Sequence, residues 1–386
     1  MTPVSFLEGY IATLAILLGV FLYWLPDLTP RTIRLGVRVP PERTDDPAVL
    51  RSIRRFRAGA LLSLALALLA IVGIPATGIG GIADRLVPVA GIFLLVAGSL
   101  VSYVVFRGQL LHVKEEEHWM QGRAGMSVAA GWSAPKPSAR HLGLWILPSL
   151  LLLGAVWGAG LFLYPGLPAE IPVHYTLSGS VNAWAPKSFL VAFSLPLVGA
   201  AILTLFALLS WVITRTRTEL GPREDWASEH RRQGIFRERM AALLLGVAAI
   251  VEAQLAFLSL ILWGAIAPPA SGWVLAVALA PALLVVALVL TVSVRTGQLG
   301  ARIPAPAGPA GGPSSGPSVR AYGPERDDDR FWKGGILYYN PDDSSILVAK
   351  RFGVGWTFNF GHPVSWVALL APFLLLGIAL VLLAHL

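Results

Sequence analysis

A short polar stretch lies between two long apolar runs and holds several side chain types that could bind a ligand. It reads IPVHYTLSGSVNAWAPKSF over residues 171–189. Its imidazole, phenol, amide, indole and ammonium groups can form hydrogen bonds or stack on a partner. The candidate contact surface comprises His174, Tyr175, Asn182, Trp184 and Lys187.

The same stretch is a weak candidate for a metal site. Glu170 and His174 are four residues apart, which would align them on a helix, but Pro172 between them disfavours helical geometry. Trp184 and Lys187 directly precede an apolar run, and both residue types often anchor a helix at the membrane interface. We expect no metal here, and the choice between a ligand surface and an interfacial anchor stays open.

An ionisable residue inside an apolar segment is the second candidate. Glu252 falls near the middle of the sixth such segment, within AAIVEAQLAF. A carboxyl group at that depth is costly and usually faces a cavity or a polar partner. Gln254 lies two positions further on and is expected on a different part of the helix surface. A structural hydrogen bond and a proton or substrate site are equally compatible with this pattern.

Signatures of the common enzyme classes are missing from the chain. We find no His-Glu-x-x-His helix, Gly-x-Ser-x-Gly elbow, phosphate loop or Gly-x-Gly-x-x-Gly turn. Cysteine is absent, which excludes disulfides, a thiolate nucleophile and a Cys-ligated metal. We therefore favour a protein without a cofactor that is not an enzyme; a membrane enzyme acting on lipid or cell-wall precursors is a third alternative.

The elements that must position these residues are apolar segments long enough to cross a bilayer. Of 386 residues, 55% are hydrophobic and 13% are charged, which excludes an ordinary soluble domain. About 20 apolar residues cross the hydrocarbon core as a helix. We predict an all-α polytopic membrane protein whose eight spans are 6–25, 58–77, 86–106, 142–164, 189–213, 241–266, 273–294 and 364–384.

The distribution of basic residues predicts the topology. All lysines and arginines except Arg85 and Lys187 fall in four segments between predicted spans. Cytoplasmic loops are enriched in these residues, so we place the four segments in the cytoplasm and both termini outside. Their basic clusters should attract anionic lipids, and no nucleic-acid motif accompanies them. The four segments are 27–57, 107–141, 214–240 and 295–363.

Weak matches at equivalent membrane boundaries indicate an internal duplication. VVFRGQL at 104–110 matches SVRTGQL at 293–299, and three further pairs of segments match in the same order. We infer two parallel four-helix halves, 1–164 and 189–386, joined by the extracytoplasmic segment 165–188 and related by a pseudo-two-fold axis along the membrane normal. Alternatively, arginines and Gly-Trp pairs recur at membrane edges for topology and anchoring alone.

The second half contains a linker and a small cytoplasmic module. Residues 303–324 are rich in Pro, Gly, Ala and Ser and are typical of a flexible linker. In the module, 331–363, the runs ILYYN and ILVAKRF flank the turn sequence PDDSS and predict a β-hairpin. It is either a packing element that caps the eighth span or a ligand platform. Its candidate residues are Trp332, Tyr338, Tyr339, Asn340, Lys350, Arg351, Trp356 and Asn359.

Two segments resemble known bacterial families. YPGLPAEIPVHYTLSGSVNAWAPKSF resembles the signature of the domain of unknown function 1648, which also begins SdpI-like proteins. The residues that fit are Leu167, Pro168, Ile171, Pro172, His174, Gly179, Trp184 and Lys187, whereas Asn182 stands where the signature commonly has Asp. The module FWKGGILYYNPDDSSILVAKRFGVGWTFNFGHP is similar to the domain of unknown function 5808.

This resemblance implies a multi-pass protein of the bacterial plasma membrane. Some SdpI-like proteins act in immunity and signalling against a secreted killing factor. By that resemblance we expect sensing of, or resistance to, an external peptide or small-molecule ligand. The alternative is a transporter or proton-coupled permease that uses Glu252 at the interface between the halves.

Overall fold

The computed structural model describes residues 3–73, 82–120, 139–176, 180–216, 226–269, 273–304 and 329–370. Within these residues, seven helices are long and apolar enough to cross a membrane. They are α1 Pro3–Leu28, α2 Pro47–Leu68, α3 Ile82–Glu116, α4 Ala139–Leu163, α5 Ser194–Thr214, α6 Trp226–Leu262 and α7 Val274–Thr296. The prediction of a helical, multi-pass membrane protein is confirmed.

The eighth span stays a prediction. Residues 363–370 form a helix where this span was expected to begin, and the remainder of 364–384 lies outside the described residues. Most of the predicted linker, 305–324, also lies outside them. The described chain therefore supports seven spans and neither tests the eighth nor the arrangement of two matching halves.

Four short antiparallel strand pairs connect the helices. They are β1 Ile33–Arg34 with β2 Val37–Arg38, β3 Glu170–Tyr175 with β4 Val181–Pro186, β5 Trp332–Lys333 with β6 Leu337–Tyr338, and β7 Leu347–Ala349 with β8 Trp356–Phe358. The predicted pairing of ILYYN with ILVAKRF is wrong, because β6 pairs with β5 and β7 pairs with β8. Gly334 and Gly335 both have positive φ angles and form the tight turn that joins β5 to β6.

Small residues bring α2 and α3 into close contact. Gly59 of α2 packs against Ser102 of α3, and Gly98 of α3 packs against Ser63 of α2. Each helix thus presents two small residues four positions apart, and the two pairs contact each other reciprocally. Membrane helices associate through such small-residue stripes because lipid offers no hydrophobic driving force between them.

The second group of helices is built around α6. α5 packs along α6, with the Ser210 hydroxyl donating to the Ala241 carbonyl at 3.1 Å, and α7 lies on another side of α6. α4 also packs along α6, although the proposed duplication assigns α4 to the first half. The first group consists of α1, α2 and α3, which pack on one another. It meets the second group where the Tyr10 hydroxyl of α1 donates to the Leu279 carbonyl of α7 at 3.3 Å.

The described parts of the four basic segments gather at one end of the bundle, which we call the basic end. The β1–β2 hairpin, the end of α3 and the module share one apolar cluster that includes Leu35, Leu110 and Phe352. The beginning of α6 and the end of α7 share another with Trp356 of the module. The β3–β4 hairpin lies at the opposite end, where α4 ends and the helical turn Phe189–Ala192 leads into α5.

Candidate functional site

The polar stretch forms the β3–β4 hairpin rather than an irregular loop. Ile171 is fully buried against the ends of α4 and α6, and it pairs across the hairpin with Ala185. Trp184, which precedes Ala185, is exposed, and so is Val173, which lies at a bulge in β3. Along β4, exposed Asn182, Trp184 and Pro186 alternate with half-buried residues, so one face of this strand lies towards the helices and the other is open.

Two of the predicted contact residues are in direct contact on the open hairpin. His174 Nδ1 and Asn182 Oδ1 are 2.5 Å apart, and both side chains are exposed. Trp184 is 56% exposed, and the half-buried Tyr175 pairs with Val181 near the turn. The hairpin thus presents an imidazole, an amide and an indole together, which is a surface that can both stack and hydrogen bond.

Lys187 does not belong to this open surface. Its ammonium donates to the carbonyls of Pro165 and Leu167 at 3.1 and 2.9 Å and lies 5.1 Å from the Tyr164 ring centroid. These contacts tie the end of β4 to the end of α4. The geometry of Lys187 is therefore that of a structural anchor.

Glu252 lies in the middle of α6 and is only 2% exposed. Its carboxyl group faces Gly199 of α5, where an added Cβ would lie 2.6 Å from Oε2. The other oxygen, Oε1, is buried without a hydrogen-bond partner in the described part of the chain. Gln254 is half-buried on another part of α6. The glycine provides the space that a carboxyl group needs between two packed helices.

A buried serine lies at the same depth as Glu252. α4 and α6 run in the same direction, and Gly160 of α4 approaches the Trp263 ring at the end of α6. Ser149 precedes Gly160 by 11 residues, as Glu252 precedes Trp263, which is about three helical turns on each helix. Ser149 is fully buried, and its hydroxyl has no hydrogen-bond partner among the described residues. Two unsatisfied polar groups thus occur at one level of the bundle.

Most of the predicted module residues pack inside the module. Asn359 accepts from the backbone N–H groups of Asn340 and Gly361 at 3.0 Å and donates to the carbonyls of Asn340 and Asp343 at 2.8 Å. Tyr338 is fully buried and donates to Asp343 at 3.1 Å. Trp332 is also buried, whereas Tyr339 is exposed. These contacts resemble a packed core more than a ligand platform.

The module contacts both groups of helices at the basic end. Phe352 stacks on Tyr103 of α3, with ring centroids 4.1 Å apart. Trp356 packs on Phe236 of α6 at 5.2 Å. After α7, the Gln298 amide donates to the carbonyls of Lys350 and Gly355 at 2.8 and 3.0 Å and accepts from the Gly355 N–H at 2.7 Å. The module therefore bridges the two groups.

A buried charge cluster fastens the module to α3. Asp329 accepts from Lys114 of α3 at 2.5 Å and forms an ion pair with Arg351 of the module. Arg351 also lies over the Trp332 ring, 5.2 Å from its centroid. Within the described residues, no group of three or more acidic or histidine side chains could hold a metal ion.

Burial of Lys350 makes the stability of the module depend on pH. Burial lowers the pKa of Lys350 below the ordinary 10.5. The folded state therefore releases this proton at a lower pH than the unfolded state, so the stability that depends on Lys350 rises with pH between the two pKa values. We expect Lys350→Met to be more stable than wild type near neutral pH, with the difference in melting temperature shrinking towards pH 10. A difference that does not change with pH would contradict this prediction.

The sequence did not single out several residues that organise the basic end. Tyr103 and Asp329 carried no motif of their own, and Arg107 lies in the repeated segment VVFRGQL. Gln298 lies in the repeated Gly-Gln-Leu sequence, which was used only as a sign of duplication. The repeat could have drawn attention to Gln298, because a buried glutamine amide after a membrane helix needs hydrogen-bond partners.

Comparison with known proteins agrees with the resemblance of both segments. Residues 151–200, which include the β3–β4 hairpin, match a domain of unknown function, DUF1648. Residues 341–366, which include β7 and β8, match a family of unknown function, DUF5808. No match was found among curated proteins or among solved structures. The chain is thus a multi-pass helical membrane protein that carries both of these domains.

Proposed function

We propose that the protein senses or resists an external agent at the bacterial plasma membrane, as some SdpI-like proteins do. In this proposal the basic end lies in the cytoplasm and the β3–β4 hairpin is the external contact surface. One observation carries the proposal: His174, Asn182 and Trp184 form an exposed group at the end of the bundle opposite the module. An external peptide or small molecule would meet this surface first.

α6 provides a rigid connection between the two ends. Its last residue, Leu262, belongs to the apolar cluster under the hairpin, and Phe236 near its beginning contacts Trp356 of the module. The helix has 37 residues and is therefore about 55 Å long. A ligand that binds one orientation of the hairpin more tightly than another would favour that orientation. Because α6 contacts both ends, the position of the module would then change with it.

The test compares hairpin variants in cells that express the full chain. We expect His174→Ala combined with Trp184→Ala to weaken protection by about thirtyfold, because exposed aromatic and polar contacts of this kind dominate binding energy. Survival is measured against a panel of secreted antibacterial peptides, and membrane abundance is measured by immunoblot. Glu170→Ala, an exposed substitution in the same hairpin, is the control. Unchanged protection in the double variant at equal abundance would refute the proposed contact surface.

The second candidate function is a proton-coupled permease. It is favoured by the buried and unsatisfied carboxyl group of Glu252, at the level of Ser149 and next to Gly199. We expect Glu252→Gln to abolish the pH dependence of solute uptake into proteoliposomes while Gln254→Ala leaves it intact. Identical uptake with and without the protein, for all solutes tested, would remove this candidate.

The arrangement of two halves belongs to the same proposal. It is supported by the two Gly-Gln-Leu sequences at the basic end, one inside α3 six residues before its last residue and one directly after α7. Gln109 of the first accepts from Arg55, and Gln298 of the second binds the module. If an eighth span follows residues 363–370, both termini lie outside and each half has four helices.

A further inference from the structure

Two tight turns meet at the basic end and enclose polar groups of α3. Gly36 in the β1–β2 turn and Gly335 in the β5–β6 turn both have positive φ angles, 72° and 73°. An added Cβ at Gly36 would lie 3.1 Å from the Gly335 carbonyl oxygen and would also meet the Tyr103 hydroxyl. An added Cβ at Gly335 would meet both the Tyr103 hydroxyl and Arg107 Nε. Both turns therefore need glycine at these positions.

The described parts of the chain do not fully satisfy the enclosed polar groups. Tyr103 is 1% exposed and Arg107 is 8% exposed, and the two residues lie one helical turn apart on α3. The Arg107 guanidinium lies beside the Tyr103 hydroxyl and can act on it only as a donor, and among the described residues neither that hydroxyl nor Arg107 Nε forms a hydrogen bond with good geometry. A buried donor without a partner costs about 1–3 kcal/mol, and more when it is charged. Since a guanidinium has no acceptor, these two groups cannot satisfy each other fully, and an acceptor for the hydroxyl proton belongs there.

The charges around this position point to an anion. Asp329 already serves two cations, Lys114 and Arg351, and Arg351 is 3% exposed. Arg107 has no carboxylate within ion-pair distance among the described residues. A buried cation that lacks a counter-charge is strongly unfavourable. The group formed by Arg107, Lys114, Arg351 and Asp329 therefore carries an excess of positive charge.

We propose that this position binds a phosphate-type oxyanion, held by Arg107 and Tyr103 next to the turns at Gly36 and Gly335. A guanidinium group can donate two parallel hydrogen bonds to a phosphate, and a phenol adds a third. Arg107 lies in the last third of the candidate span Val87–Glu116, towards the end that enters the basic layer. The phosphate can thus come from the headgroup of an anionic phospholipid or from a free phosphate.

The experiment measures ligand-induced thermal stabilisation of the full chain in a neutral detergent. One arm adds inorganic phosphate, compared with chloride at equal ionic strength. The other adds phosphatidylglycerol, compared with oleate at equal charge, so that stabilisation by negative charge alone is subtracted. We expect a rise in melting temperature in at least one arm, and the arm that responds identifies the source of the phosphate.

Three variants test whether Arg107 and Tyr103 form the site. In Arg107→Gln the apparent Kd should rise about tenfold or more, because a charge-assisted hydrogen bond is lost. Tyr103→Phe removes only the hydroxyl, keeps the ring that stacks on Phe352, and should also weaken binding. Arg51→Gln, on the exposed face of α2, should bind like wild type.

The possible outcomes separate cleanly. Weaker binding in both site variants and normal binding in Arg51→Gln supports the site. Absence of stabilisation in wild type in both arms would overturn it. Equal binding by wild type and Tyr103→Phe would also overturn it, because that variant keeps the fold and the ring contact. An equal loss of binding affinity in Arg107→Gln and Arg51→Gln would reveal nonspecific attraction to positive charge and would likewise refute the site.

Discussion

Gly98→Leu should destabilise the protein by about 3 kcal/mol, near the upper end of the cost of inserting extra carbons into a packed contact. Even a single Cβ at this position would lie 3.0 Å from the Ser63 Cβ and closer still to its hydroxyl. A leucine must therefore separate α2 from α3. Because the same contact repeats reciprocally at Gly59 and Ser102, the whole crossing should loosen. Thermal unfolding in detergent, followed by the loss of monodisperse protein, measures the effect.

Gly154→Leu is the matched control. Gly154 lies in α4, is exposed, and has no atom within 4 Å of an added Cβ. We expect its melting temperature to equal that of wild type, because the new side chain would face lipid or detergent. A similar decrease in melting temperature in both variants would mean that leucine destabilises these helices at any position. The proposed close contact between α2 and α3 would then be unsupported.

Asp329→Asn should release the module from α3. The substitution leaves Lys114 and the buried Arg351 without their shared carboxylate. Removing one partner of a buried ion pair typically costs about 3–5 kcal/mol, because the remaining charge is desolvated and unpaired. The free energy of local opening, measured by hydrogen exchange over residues 331–363, should fall by at least about 3 kcal/mol.

The control for this prediction lies in the same module. Asp342 is exposed, and Asp342→Asn should leave hydrogen exchange over the module unchanged. The β3–β4 hairpin, at the opposite end of the bundle, should keep its exchange rates in both variants. If Asp329→Asn and Asp342→Asn caused the same small change in hydrogen exchange over the module, the ion pairs of Asp329 would not be what holds the module on α3.

The sequence predicted the membrane helices well because crossing a bilayer imposes a strong requirement on every residue. Seven of the eight predicted spans correspond to helices. Glu252 was recognised because an acidic residue in an apolar segment is conspicuous. Its neighbour Gly199 was not, since the contact joins two helices that are distant in sequence.

The small strands were harder to predict. In the module, β6 could in principle pair with either neighbouring run, and the turn sequence PDDSS favoured the wrong one. The preceding Gly-Gly pair was decisive, because both residues adopt positive φ angles in the three-residue turn 334–336. The contacts within the β3–β4 hairpin were only partly anticipated: His174 and Asn182 are in contact, but Lys187 binds backbone carbonyls. Such capping depends on how the chain returns to α4, which local sequence does not encode.

The central claim is that the β3–β4 hairpin and the module lie on opposite sides of the membrane, with the hairpin outside. The chain has no cysteine, so single cysteines can be introduced without background labelling. Ser180→Cys marks the hairpin and Ser344→Cys marks the module, and both positions are exposed. A membrane-impermeant maleimide applied to intact cells should label Ser180→Cys and should reach Ser344→Cys only after permeabilisation. Labelling of Ser344→Cys in intact cells, with Ser180→Cys protected, would contradict the account.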